Sequence, residues 1–119
     1  MEKIDERTYK FALRILKLVD ALPHSTKGET LARQVLRSGT SIGANVEEAY
    51  GGSSKKDFAN KMATALKEAR ETHFWLRLIR DDGMIPSKQI EPLIQEALEI
   101  KLILGKTVST SKKSKSNTE

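Results

Sequence analysis

Residues 37–52 read RSGTSIGANVEEAYGG. The stretch sits in a segment of helical periodicity, yet it places Gly39, Gly43 and Ala44 inside the helix, with Ser38, Ser41 and Asn45 beside them. A glycine in a helix interior costs about 1 kcal/mol relative to alanine, because it adds freedom to the unfolded chain and packs nothing. Such a cost is offset where another backbone approaches more closely than a larger side chain allows. The run therefore predicts tight helix–helix packing, with Gly39, Ser41, Gly43, Asn45 and Glu48 as the packing motif.

Before this run, Phe11, Ala12, Ile15, Leu16, Val19 and Leu22 recur at the spacing of one buried helical face, which predicts a helix from Asp5 to Leu22, stopped by Pro23. Thr26 followed by Glu29 has the form of a capping box and starts a second helix. Its inward row is Val35, Gly39, Ile42, Val46 and Ala49, and Gly51-Gly52 ends it. Ser54 caps a third helix with Asp57 near its positive end. There Phe58, Met62, Ala65, Ala69, Thr72, Leu76 and Ile79 form a seam suited to helices packed at about +20°. Asp82-Gly83 terminates that helix. Ser87, after Pro86, caps a fourth carrying Ile90, Leu93, Ile94, Ala97, Leu98 and Leu104. No segment alternates as a strand does, and the connections are short. The expected fold is all-α: an up-down-up-down antiparallel four-helix bundle.

The 119 residues fit one domain. The absence of cysteine excludes disulfides, thiolate metal sites and a cysteine nucleophile, and fits a reducing compartment. No apolar run reaches the length of a membrane span, and the charged start MEKIDERTYK is not a secretory signal, so a soluble cytoplasmic protein is expected. The net charge is +5, and the last fourteen residues hold four lysines and one acid, leaving only +2 for the rest. The expected division is a bundle domain over residues 1–107 and a disordered basic Ser/Thr/Lys tail over 108–119, which lacks the apolar groups needed to fold.

The run RSGTSIGANVEEAYGGSSKKDF, continued through MATALKEARETHFWLRLI, resembles the signature of the bacterial four-helix-bundle proteins called 23S rRNA intervening-sequence proteins. The likeness covers Phe11 to Leu104 and is most specific at Arg37–Glu48 and Ala65–Leu76. In fold it is also similar to the accessory proteins of diversity-generating retroelements, which assemble as pentameric barrels and bind nucleic acid. The resemblance implies a four-helix bundle, a ring-like homopentamer and a nucleic-acid role. It supplies no catalytic residues to carry over.

Three constellations merit weighing. A di-metal bundle needs inward carboxylates and two Glu-x-x-His pairs. The chain has only His24 and His73, and the position three before His73 holds Arg70, so no metal or other cofactor is expected. Glu47 and Glu48 lie on the second helix and Glu68 and Glu71 share a face of the third in acid–base fashion, but Arg37, Lys67 and Arg70 are expected one turn or less from these acids. Salt-bridged glutamates keep low pKa values unsuited to general acid work. The simpler expectation is a polar layer fixing helix register, with Arg37, Ser41, Asn45 and Glu48 facing Glu68, Glu71 and Thr72. No phosphate-binding loop or Ser/His/Asp order is present, and no enzyme is expected.

The third constellation is charge. Arg7, Lys10, Arg14 and Lys17 line one side of the first helix, and Lys56, Lys67, Arg70 and Arg77 form a second row on the third. Rows of cations along a rod match the regular phosphates of nucleic acid. Phe74, Trp75 and Leu78 extend the apolar surface of the third helix beyond its core seam and are expected at an interface between copies of the chain. Two readings follow: a ring-forming, non-enzymatic protein that binds RNA or other nucleic acid, or a structural adaptor whose surfaces serve only protein partners.

Overall fold

The computed structural model describes the backbone of residues 2–118 and the side chains of residues 2–112. Met1, Glu119 and the side chains of 113–118 lie outside the described residues, and with them Lys113, Lys115 and most of the expected disordered tail.

Helix α1 (Ile4–Asp20) buries Thr8, Phe11 and Ile15 and places Asp5 and Glu6 in its first turn, where the positive end of the helix dipole favours them. Thr8 hides its hydroxyl from the apolar surroundings by donating to the Ile4 carbonyl at 2.8 Å. Leu16, expected in the core, is instead 47% exposed. One helical face holds only what its neighbours cover, and Leu16 shares its stripe with Tyr9 and Leu13, which are exposed too.

Helix α2 (Thr26–Gly51) begins one residue earlier than its capping-box pattern predicts. Ser25 is extended, and its Oγ accepts from the Gly28 amide at 3.1 Å. Gly28 is required there: a Cβ would stand 2.0 Å from the Pro23 carbonyl oxygen. Helix α3 (Lys55–Asp81) opens as expected, with Ser54 Oγ accepting from the Asp57 amide at 3.0 Å. It closes at Gly83, whose φ of 80° is a conformation that glycine adopts freely. Helix α4 (Ser87–Thr118) starts on the Pro86 carbonyl, which accepts from the Gln89 and Ile90 amides, so Ser87 is the first helical residue rather than the cap. The helix runs through residue 107 without a break, and Val108 is only 8% exposed. Val108 therefore belongs to the core, not to the tail.

The four helices make an all-α bundle with no strand among the described residues. Its principal dimensions are 51 × 22 × 21 Å. The α2–α3 contact is the most extensive, followed by α3–α4 and α1–α2, and the α1–α4 seam is the slightest. Neither α1 and α3 nor α2 and α4 approach one another, so these pairs occupy diagonal corners. The centre is filled by Phe11, Ile15, Val35, Ile42, Met62, Leu76, Ile79, Ile90, Ile100 and Leu104, each at most 1% exposed. Between α2 and α3 the pairings run in opposite order: Glu48 with Lys61, Ser38 with Thr72, Lys27 with Asp82.

The glycines of α2 do what their cost demands. A Cβ on Gly39 would lie 2.8 Å from Ile15 Cγ1, and one on Gly43 would lie 3.2 Å from the Thr8 carbonyl oxygen. Both contacts come from α1, which seats directly on the backbone of α2.

Candidate nucleic-acid interface

The packing motif and the polar layer between α2 and α3 position the cationic rows. Arg37 on α2 bonds Glu68 at 3.0 Å and also reaches Glu71, both on α3. Glu68 is buried, so its charge is held in place by the guanidinium instead of being left alone in a poor solvent for ions. Glu71 further accepts from Trp75 Nε1 at 3.2 Å. Ser41 and Asn45 do not cross the interface as expected. Their side chains donate to the Arg37 and Ser41 carbonyls of their own helix, at 2.6 and 2.8 Å. Glu48 reaches Lys61 at 2.7 Å. The residue missed in the layer is Ser38, which is buried against Thr72 at 2.8 Å; its place one turn before Ile42, on the α3 side of the helix, was the available signal.

The first basic row is divided by the fold. Arg7 donates to both carboxylate oxygens of Glu96 on α4, at 2.6 and 3.0 Å, and to Glu99 at 3.2 Å. Hydrogen bonding to Glu96 strengthens its hold on the proton still further. Lys10 bonds Glu2, which raises its pKa. Arg14 and Lys17 make no ion pair among the described residues, and with Leu18, Ala21, Ile85, Gln89 and Leu93 they line a shallow groove between α1 and α4.

On α3, Lys56, Lys67 and Arg70 are exposed and likewise without an ion pair among the described residues. Arg77 stands over the ring of Phe74 at 5.8 Å. Phe74 is 46% and Leu78 40% exposed. Trp75 packs against the core and meets Phe74 edge-on at 5.2 Å. The three expected interface residues thus part company: Phe74 and Leu78 face outward, and Trp75 is partly buried against the core.

Chemistry in the usual sense has little to stand on. Glu68 and Glu71 are both claimed by Arg37. His73 is part-buried, and its pKa is lowered by burial and by Lys101, Arg77 and Arg80 around it. No group of three potential metal-binding side chains gathers among the described residues, and none of their helices is long and apolar enough to cross a membrane.

The family model of the 23S rRNA-intervening sequence proteins matches residues 3–106, which is every helix but the end of α4. This chain belongs to that family. A solved structure from Bacteroides thetaiotaomicron, described as a protein of unknown function from the S23 ribosomal protein family, is 39% identical. The likeness covers 89% of this chain and 98% of that one, with a TM-score of 0.83. No curated protein matches the chain. Membership fixes the fold and leaves the ligand to be argued from the surface.

Proposed function

We propose that this family member is a non-enzymatic, cytoplasmic homo-oligomer, a pentamer of up-down-up-down bundles, that binds RNA. The observation that carries the reading is that five cations of the two rows, Arg14, Lys17, Lys56, Lys67 and Arg70, are exposed and without carboxylate partners among the described residues. Arg7 and Lys10 are spent within the chain, on Glu96 and Glu2. Short connections and opposite-order pairing between α2 and α3 support antiparallel neighbours. The exposed Phe74 and Leu78 support self-assembly, because a patch of that kind is covered by another surface more often than by water. A ring repeats each cluster of cations once per subunit, and the repetition turns weak phosphate contacts into avidity.

Lys67, Arg70 and Arg77 stand around Phe74 and are available either to phosphates or to acids of a neighbouring subunit. The test is binding of a single-stranded RNA to the full chain across a salt series. Affinity that falls linearly on a log–log scale as salt rises supports the reading. No binding at low salt leaves the adaptor reading, in which every surface serves protein partners.

A further inference from the structure

We propose that one subunit docks the acidic–apolar face of its α1 onto the basic–apolar face of α3 on the next copy, so that the assembly is head-to-tail. This rests on the self-assembly part of the reading above and names the two surfaces that meet.

Among the described residues, besides the single exposed side chains of Tyr50 and Leu102, exposed large apolar residues fall in two groups, and they differ. On α1, Tyr9, Leu13 and Leu16 are 58%, 46% and 47% exposed and recur at the i, i+4, i+7 spacing of a single stripe. On α3 the patch is Phe74 and Leu78. The two helices sit on diagonal corners of the bundle without touching, so the patches look out in different directions and do not merge into one. A two-fold dimer uses the same patch twice and needs only one. Two separate patches on one chain are the requirement of a heterologous contact, in which each copy offers one to either neighbour.

Charge then pairs the patches with each other and not with themselves. The α1 stripe is edged by acids: Asp5, Glu6 and Glu47 line a shallow depression with Tyr9, and Asp20 is exposed beyond Leu16. Lys10, at the same depression, is already bonded to Glu2. The α3 patch is edged by Lys67, Arg70 and Arg77, and the one acid a turn beyond Leu78, Asp81, is already bonded to Arg80. Two α1 faces brought together oppose acid to acid, and two α3 faces oppose cation to cation. Only the mixed pairing sets unlike charges around two apolar centres, which is how electrostatics selects one partner surface over another. Arg14 lies on another side of α1, against the α4 groove, and stays open to nucleic acid; Lys17, four residues after Leu13, borders both that groove and the stripe, where it is outnumbered by the acids.

The experiment uses two full-length variants, Leu13→Asp to spoil the α1 face and Phe74→Asp to spoil the α3 face. Both positions are exposed, and unchanged circular dichroism confirms that the fold survives. Wild-type protein runs at a multiple of 13.3 kDa in light scattering, and each variant alone runs at the single-chain mass. Mixed in equal amounts they form a complex of doubled mass and no larger, because one intact α1 face meets one intact α3 face. A mixture that stays at the single-chain mass, or one variant that keeps the wild-type mass, overturns the pairing while leaving self-assembly standing. Phe74→Asp that assembles normally but loses RNA assigns the α3 cations to phosphates instead. Wild-type protein at 13.3 kDa overturns self-assembly itself, and the pairing with it.

Discussion

Thr72 Oγ1 lies 2.8 Å from Ser38 Oγ and 2.7 Å from the Glu68 carbonyl oxygen, in a part of the α2–α3 interface where both side chains are wholly buried. A hydroxyl has one proton to give. When Thr72 donates to the carbonyl, Ser38 must donate to Thr72, and the two hydroxyls form a directed chain. Ser38→Ala or Thr72→Val alone should cost about 1–3 kcal/mol, because a buried hydroxyl or carbonyl loses its partner. The double variant should cost less than the sum of the two, by about 1 kcal/mol, since no unpaired partner remains. Denaturant unfolding of the four proteins checks this. Strict additivity shows that the contact does not couple the helices.

The glycines divide into those whose space is taken and those, such as Gly105, that stand in open space. Gly39→Leu and Gly43→Leu should each destabilise the bundle by several kcal/mol: overpacking costs about 1–3 kcal/mol or more and outweighs a helix-propensity gain of about 0.8. Gly43 is the stricter site, since its obstacle is the Thr8 main chain and not the movable side chain of Ile15. Gly105, in α4, has nothing within 4 Å of an added Cβ, so Gly105→Ala should stabilise by about 0.8–1 kcal/mol. Thermal melts of the three variants decide it, and a stabilised Gly43→Leu would place that face in solvent.

RNA binding should depend on cations that the fold leaves without partners. Replacing Arg14, Lys17 and Lys56 together with alanine removes three phosphate contacts and should flatten the log–log salt slope by about 2, at ~0.7 per contact on a single strand. Arg7→Ala should leave that slope unchanged, because its guanidinium is committed to Glu96 and Glu99. The necessary control is removal of residues 113–119, which takes away Lys113 and Lys115 and spares buried Val108. If the truncated chain no longer binds, the tail carries the whole effect.

His73 gives the protein a pH response of known sign. Its pKa lies below the ordinary 6.5, first through burial and then through Lys101, Arg77 and Arg80. The unfolded chain therefore takes up this proton before the folded one does. Stability should be level above the ordinary value and fall as pH drops below it toward the lowered value of the folded state. His73→Gln should remove that part of the fall, measured as melting temperature between pH 7.5 and 5.5. An unchanged slope in the variant assigns it to other groups.

The helices were legible because apolar spacing, serine caps and glycine stops all agree with one another. The inward rows of α2 and α3 are recovered almost residue for residue, with Phe58 only half-buried. The errors cluster where a pattern has two equal solutions. Ser25 and Thr26 both suit a cap, and the choice fell to Gly28, whose hydrogen atom fits beneath the Pro23 carbonyl where a side chain does not. Leu16 and Ile15 are both apolar, and only the seat of α1 on α2 decides which is covered. The pairing of Arg7 with Glu96 joins residues 89 positions apart, and local spacing holds no sign of it. The cationic row on α1 therefore read as four free charges when two were already engaged.

Helix α1 has the shortest span of the four and touches α4 only along the slightest seam, clamped by Arg7 on Glu96 and Glu99. Amide hydrogen exchange in α1 should therefore be fastest along that seam, while Phe11 and Ile15 hold its opposite side in the core. The helix on that seam is also the one offering the acidic–apolar face of the proposed contact. A neighbour seated on that face binds the closed form alone, and mass action then draws α1 shut. Under the proposed pairing, ordering of α1 and joining of subunits would be a single equilibrium, and the unfolding midpoint should then rise with the concentration of the chain.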